Sequence, residues 1–404
     1  EHAMPHPDPG EGPWECFSAI TDPGRSLEAI PHALDFRERF LNPPDIGGRY
    51  SALTYVGLVP ASLIGLDLDP LLAAGSAMLE SCREPDAAAN PGLQLGLAIG
   101  SLARAGRDKL TFLADGPIAS FGSWLEQLLA ESTGKQGTGI VPVDLEPPAS
   151  PASYGPDRAF VRLALAGAEE PALDELATKL AAAGQPVIRI GLDDPMDLGG
   201  EFVRWEVATA FAGAVLGINP FDQPNVEDAK ERTRRFLAER GSQASVPDDA
   251  IAVSTGHGDG VAPLTDALRA AVARLAPPSY VALQAFIAPG PSRDAAMARM
   301  RTGIVEHLHC ATTAGYGPRF QHSTGQLHKG GPAGGVFLQL TADHPADRPI
   351  PGWPYSFGQL IDAQARGDRE ALRAHDRQVV HVRLGADLDA DLGLVERALF
   401  QALR

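Results

Sequence analysis

Short apolar segments alternate with segments of helical periodicity along most of the chain, and this alternation constrains the fold more than any other feature. Segments 160–165 and 186–190 have the length and apolar content of buried strands, and segment 171–183 between them has a helical pattern. Strands that alternate with helices favour a parallel sheet covered by helices on both faces. The sequence therefore predicts an α/β protein with three-layer αβα sandwiches.

Length and charge limit the functions that this fold can serve. The chain has 404 residues, which predicts two or three domains. Its 34 basic and 51 acidic residues give a net charge of −17, which disfavours nucleic acid as a partner. The uncharged segment 50–66 is interrupted by Gly57, Pro60 and Gly65 and is shorter than the roughly 20 residues that span a bilayer. We interpret it as a buried helix and predict no membrane partner.

The cysteines and histidines predict neither a disulfide framework nor a metal site. Cys16, Cys82 and Cys310 are scattered and lack CxxC spacing, which is typical of a reducing cytoplasm. His307 and His309 are two residues apart on a predicted helix, so their side chains point in nearly opposite directions. The sequence predicts no metal and no cofactor.

Arg49 stands in an unusual place, directly after Gly47 and Gly48 at the predicted start of an apolar helix near Tyr50. The positive end of a helix dipole disfavours a cation there unless an anion is close. Backbone N–H groups and a guanidinium could therefore receive an anionic oxygen together. The alternative is a simple ion pair with Asp45.

Glu131 has the opposite position, in the last turn of a predicted helix that Gly134 ends. The negative end of the helix dipole and an apolar face shared with Trp124 and Leu128 both raise the affinity of its carboxylate for a proton. That is the property of a general base near neutral pH. The alternatives are neutralisation by Lys135 and ordinary solvation.

Two further segments could line a cleft. Gln223 and Lys230 are seven residues apart around a helix that Pro224 begins, so they share one face, although neighbouring charges also fit a solvated face. His322 and His328 lie in a polar, glycine-rich segment, 322–331, that we predict to be a loop. It could hold phosphate or donate a proton, or serve only as a surface loop.

From these residues the chain resembles the C-terminal part of a glucose-6-phosphate isomerase. Segments 42–50, 116–135 and 219–230 match that family's landmarks in order and spacing, and the resemblance covers residues 17–235. The remainder, especially 311–332, is similar to the isomerase half of bifunctional transaldolase/phosphoglucose isomerase fusions.

The resemblance implies two sugar isomerase (SIS) domains, the first of them incomplete. The implied division is a leader or vector-derived remnant at 1–16, the end of the first SIS domain at 17–104, the second SIS domain at 105–245 and a C-terminal α/β extension at 246–404. The implied activity is the metal-free interconversion of glucose 6-phosphate and fructose 6-phosphate in glycolysis and gluconeogenesis.

The resemblance also implies roles for single residues. Glu131 matches the base that moves a proton between C2 and C1, and Arg49 matches the arginine that steadies the enediolate. Lys230 matches a lysine linked to ring opening, and Gln223 matches a glutamine of the sugar site. Gly48, His322 and His328 are further candidates for substrate binding.

Two departures from the family pattern shape the remaining predictions. The phosphate-binding loop of the first SIS domain would precede Phe17, and the chain has no histidine from 131 to 223, where the family's ring-opening histidine falls. We therefore expect a fragment that needs a missing N-terminal isomerase/transaldolase segment, with a homodimer possible. Either His322 or His328 replaces the histidine, or ring opening relies on Lys230 and free sugar chemistry. The alternatives are a non-catalytic sugar-phosphate sensor and a docking module of the fusion.

Overall fold

A computed structural model gives the fold, and it describes residues 13–224, 226–239, 250–255, 260–273 and 275–404. The chain divides into two compact units, Glu1–Gly92 with Met196–Glu206, and Leu93–Pro195 with Val207–Arg404. The boundary that we predicted after residue 104 stays a prediction. The boundary after residue 245 falls outside the described residues, as does most of the leader at 1–16.

The first unit contains a small parallel sheet followed by helices. Its strands β1 and β2 pair in parallel, with Ser18 opposite Glu38 and Thr21 opposite Leu41. The elements are β1 (Ser18–Thr21), α1 (Arg25–Glu28), β2 (Glu38–Leu41), α2 (Tyr55–Leu63) and α3 (Leu68–Ser81).

The helix predicted near Tyr50 begins five residues later, at Tyr55. The Ser51 hydroxyl donates to the Gly48 carbonyl at 2.6 Å and the Thr54 hydroxyl donates to the Ser51 carbonyl at 2.8 Å, so local turns occupy this segment. Thr54 then caps α2. The prediction that this helix is buried is wrong, because Leu63 is 78% exposed.

The second unit begins with a four-stranded parallel sheet whose strand order is β4-β3-β5-β6. The elements here are α4 (Pro91–Arg104), β3 (Lys109–Ala114), α5 (Phe121–Thr133), β4 (Val141–Val143), β5 (Arg158–Leu165), α6 (Pro171–Ala182), β6 (Val187–Leu192) and α7 (Leu198–Leu216), of which α7 begins in the first unit. The strands predicted at 160–165 and 186–190 and the helix predicted at 171–183 are β5, β6 and α6.

A five-stranded parallel sheet follows, with the strand order β7-β11-β10-β8-β9. Its elements are α8 (Val226–Glu239), β7 (Ile251–Val253), α9 (Val261–Val272), β8 (Tyr280–Ala285), α10 (Pro291–Leu308), β9 (Ala311–Tyr316), α11 (Ser323–Gly330), β10 (Gly335–Ala342), α12 (Phe357–Ala374), β11 (Gln378–Leu384) and α13 (Leu388–Ala402).

Helices cover both faces of the five-stranded sheet. Helices α9, α10 and α13 pack together on one face, and α8, α11 and α12 pack together on the other. Successive side chains of β10 point to opposite faces of the sheet. Leu338 and Leu340 lie in the core next to α10 and α13, whereas Phe337 lies in the core next to α5 and α11. The predicted α/β class with mostly parallel sheets is confirmed.

The glycine-rich segment 322–331 is a helix, α11, and not the loop that we predicted. Gly325 allows it, because a Cβ atom there would lie 1.9 Å from the Phe320 carbonyl oxygen. Most of the helix is buried, including Gln326 and Leu327. Gly325 therefore permits close packing rather than chain flexibility.

Neither a membrane span nor a metal cluster is found in the described part of the chain. No helix there combines the length and the hydropathy needed to cross a bilayer. No group of three or more His, Cys, Asp and Glu side chains among those residues could hold a metal ion.

Candidate active site

Glu131 lies half-buried in the last turn of α5, and α11 fixes the chain that follows it. Helix α5 ends at Gly134, where a Cβ atom would lie 2.3 Å from the Leu327 Cα atom. The Gln326 side-chain amide donates to the Gly134 carbonyl at 2.9 Å, and both residues are buried. Helix α11 therefore packs directly against the end of the helix that carries Glu131.

Lys135, the sequence-based candidate for neutralising Glu131, holds a different loop. Its buried ammonium pairs with the Asp222 carboxylate at 2.7 Å and donates to the carbonyls of Asn219 and Asp222. This ties the loop 219–222 to the end of α5. Gln223 follows immediately in the chain and is exposed.

His322 lies at the start of α11, and its neighbour Gln321 connects it to α8. The buried Gln321 amide donates to the Thr233 hydroxyl at 2.6 Å and to the Gln364 carbonyl at 2.9 Å. Thr233 is three residues, or about one helical turn, after Lys230. The segment that carries His322 is thus anchored one turn from Lys230.

Glu131, Lys230 and His322 interact electrostatically. Partial burial lowers the pKa of His322, the nearby Lys230 ammonium lowers it further, and the Glu131 carboxylate raises it. Glu131 comes from the end of α5, Lys230 from α8 and His322 from the start of α11. We call these three residues the Glu131 cluster.

His328 does not belong to this cluster. It is 2% exposed, its ring lies 4.9 Å from the Phe337 ring, and its Nδ1 atom is 3.3 Å from the Gln284 amide nitrogen. Burial holds the pKa of His328 well below its usual value, with Lys329 and Arg377 acting in the same direction. The structure therefore places His328 in the core, apart from the Glu131 cluster.

Gly48 and Arg49 belong to the first unit, in a 3-10 turn spanning Gly48–Tyr50. The Arg49 side chain is 2% exposed, and its guanidinium carbon lies 5.2 Å from the centre of the Tyr50 ring. Its position before α2 differs from the helix start that we predicted, because the turns at Ser51 and Thr54 intervene.

Glu126, five residues before Glu131 on α5, is a buried carboxyl that sequence reasoning missed. Its Oε1 atom lies 3.1 Å from Arg319 Nη2. Burial raises its pKa to about 7, against the opposing effects of Arg319 and Arg301. Only the tertiary fold buries this residue, since its spacing from Glu131 carries no such signal.

Comparison with known proteins adds sequence similarity to this geometry. The chain is 31% identical over 273 residues to a glucose-6-phosphate isomerase of Symbiobacterium thermophilum, which covers 58% of this chain and 60% of that protein. It is 34% identical over 233 residues to a probable glucose-6-phosphate isomerase of Natronomonas pharaonis, covering 48% and 53%. The chain is similar to the glucose-6-phosphate isomerases. The resemblance predicted from its three motifs is confirmed.

The chain spans between half and two thirds of the length of the curated glucose-6-phosphate isomerases that it matches. No protein-family model matches it. A solved glucose-6-phosphate isomerase from Chlamydia trachomatis aligns with a TM-score of 0.46 and 18% identity, over 58% of this chain and 54% of that one.

Proposed function

We propose that this chain carries the proton-transfer part of a glucose-6-phosphate isomerase, which interconverts glucose 6-phosphate and fructose 6-phosphate through an enediolate. The observation that carries the proposal is the electrostatic interaction of Glu131, Lys230 and His322 within one unit. A carboxylate, an ammonium and an imidazole are the groups that ring opening and proton transfer beside a carbonyl require.

Each residue of the Glu131 cluster has a defined role in the proposed reaction. His322, kept neutral at neutral pH by its lowered pKa, accepts the proton of the anomeric hydroxyl while Lys230 donates a proton to the ring oxygen. The Glu131 carboxylate then removes the C2 proton, and the C2–H electron pair moves toward the C1 carbonyl to give the enediolate. Glu131 returns the proton to C1 while the O2 hydroxyl proton moves to O1, and the ketose forms.

Arg49, Gly48 and Gln223 have the proposed roles that their match to the isomerases implies. The Arg49 guanidinium steadies the enediolate oxygen, since a preorganised cation is worth most where negative charge develops. Gly48 presents backbone beside it, and Gln223 offers an amide to sugar hydroxyls. The substrate is a phosphorylated hexose, and the reaction needs no metal.

The rest of the protein extends this proposal. Because the relatives are longer than the part that this chain matches, we propose that a missing N-terminal isomerase or transaldolase-linked segment supplies the phosphate grip. In this proposal residues 17–104 end the first SIS domain, 105–245 form the second and 246–404 extend it. The enzyme acts in the cytoplasm, in glycolysis and gluconeogenesis, as a homodimer.

The test is solvent deuterium exchange at C2 of glucose 6-phosphate and at C1 of fructose 6-phosphate, in the full-length parent protein. Glu131→Gln should abolish exchange and leave sugar-phosphate binding nearly unchanged, because the variant keeps the shape and loses the base. Glu175→Gln is the matched control, since that exposed carboxylate pairs with Lys179 on the same helix, at 2.8 Å.

Exchange at the parental rate in Glu131→Gln would show that another residue is the base. A parent that binds the sugar phosphate without exchanging its C2 proton would instead be a sensor, the alternative function from another class.

A further inference from the structure

The five-stranded sheet has a cavity of about 640 Å³ at the carboxyl ends of β8 and β10. The chain leaves β8 through α10 toward β9, and it leaves β10 through α12 toward β11 on the other side of the sheet. Helices α10 and α12 lie on opposite faces, so the gap between β8 and β10 is a topological switch point. Open parallel sheets bind ligands at such a point.

The interior of the cavity is mainly apolar. Phe286 follows β8, and Phe357, Leu360 and Ile361 project from the first turns of α12. Phe357 is 58% exposed. A volume of this size lies in the range of small-molecule sites, which commonly combine apolar walls with a few polar groups.

Most polar groups at the rim are already engaged. Asp347 accepts hydrogen bonds from the Ser356 hydroxyl and from the Gly358 N–H at 2.7 Å, so it caps the start of α12. His344 Nε2 lies 3.0 Å from Asp362, and Asp343 pairs with Arg383 at 2.9 Å. The Asp347 carboxylate therefore already stabilises the N-terminus of α12, so this helix end does not need to bind a further anion.

Two lining side chains remain available. Within the described ranges, neither the exposed Arg348 guanidinium nor the Gln364 carboxamide has a hydrogen-bond or ion-pair partner. Arg348 stands at the rim and Gln364 lies two turns along α12 from Phe357. The cavity thus offers one cation, one amide and apolar walls.

We propose that this cavity binds a small molecule with a planar apolar body and a single negatively charged group. The body lies against Phe286, Phe357 and Ile361, and the anionic group meets Arg348. Asp343 and Asp347 at the rim disfavour a polyanion such as a nucleoside triphosphate or a sugar bisphosphate, since like charges repel. This site is separate from the Glu131 cluster and does not depend on the isomerase activity.

Two fluorescent probes of the same shape test the proposal on the whole chain. They are 8-anilinonaphthalene-1-sulfonate, which carries one negative charge, and uncharged N-phenyl-1-naphthylamine. Arg348→Gln should weaken binding of the sulfonate about 3- to 10-fold, as expected for one partly exposed charge pair, and leave the uncharged probe unchanged. Ile361→Trp, which fills the cavity, should weaken both.

The control is Arg397→Gln, an exposed arginine on α13 that does not line the cavity. It should bind both probes like the unmodified chain. A thermal melt of each variant shows that it folds, and Arg348→Gln changes only an exposed side chain, so it tests the charge even if Ile361→Trp unfolds.

Two results would overturn the proposal. One is unchanged sulfonate binding in Arg348→Gln, which would show that the dye binds elsewhere, for example at exposed apolar residues such as Leu63. The other is displacement of the bound sulfonate by fructose 6-phosphate alone, which would assign the cavity to the sugar phosphate.

Discussion

The side-chain amide of Gln321 donates to both the Thr233 hydroxyl, at 2.6 Å, and the Gln364 carbonyl, at 2.9 Å. This one buried residue, which directly precedes His322 in the chain, thereby joins α8 to α12. The position of His322 relative to Lys230 depends on this junction.

Replacing Gln321 should loosen the junction. Gln321→Ala leaves the Gln364 carbonyl and the Thr233 hydroxyl without this donor, and we expect a loss of about 1 to 3 kcal/mol in the free energy of unfolding. Urea denaturation measures it. A double-mutant cycle with Thr233→Val isolates the pair, and additive effects of the two changes would show that the hydrogen bond contributes nothing.

His322 and His328 make a matched pair of substitutions in the full-length parent. His322→Gln should slow turnover of the ring-closed sugar phosphate and leave the folding stability nearly unchanged, because His322 is only partly buried. His328→Ala should instead lower the stability by roughly 2 to 4 kcal/mol, since it opens a cavity in the core. Stopped-flow assays and thermal melts measure the two effects, and a reversed outcome would exchange their roles.

Glu126 should make the stability of the protein depend on pH. Its pKa is about 7 in the folded chain against an ordinary 4.5, so the folded state binds its proton more tightly. The free energy of unfolding should therefore fall as the pH rises through this range, and the difference corresponds to about 3 kcal/mol.

Glu126→Gln removes this dependence. Relative to the unmodified chain, the variant should gain stability between pH 5 and pH 8, whatever constant loss comes from leaving Arg319 unpaired. Urea denaturation at several pH values measures it, with Glu175→Gln as the exposed control. Parallel stability curves for the unmodified chain and Glu126→Gln would contradict the prediction.

Arg49 should act on turnover more than on binding. In the parent protein, Arg49→Lys keeps the charge and loses the planar guanidinium, so we expect turnover to fall by a factor on the order of 10² to 10³. Steady-state kinetics with fructose 6-phosphate measures it. Unchanged turnover would return Arg49 to the ion-pair interpretation with Asp45.

The sequence predicted those helices and strands whose ends are set by residues close to them in the chain. Helix α6 spans Pro171–Ala182, where a helix was predicted at 171–183, and Gly134 ends α5 as predicted. Strands β9 and β11 and helix α13 were not predicted. Polar residues such as Thr312 and His381 lie within those strands, and their burial depends on partners far away in the chain.

The candidate site shows the same division. The positions of Glu131 and Lys230 on their helices follow from the spacing of residues in the sequence. The position of His322 near both depends on α11, a helix that was predicted as a loop because the segment is rich in glycine. The local sequence does not predict the close packing of Gly325 on Phe320 and of Gly134 on Leu327, since glycine is found both in loops and at tight contacts.

The order of strands in the five-stranded sheet has a consequence for protein synthesis. Strand β7 pairs with β11, which the ribosome makes more than 120 residues later, and β11 joins β7 to β10. The sheet therefore closes only after β11 has been translated. Glu131, Lys230 and His322 are therefore all synthesised before the sheet on which α8, α11 and α12 pack is complete.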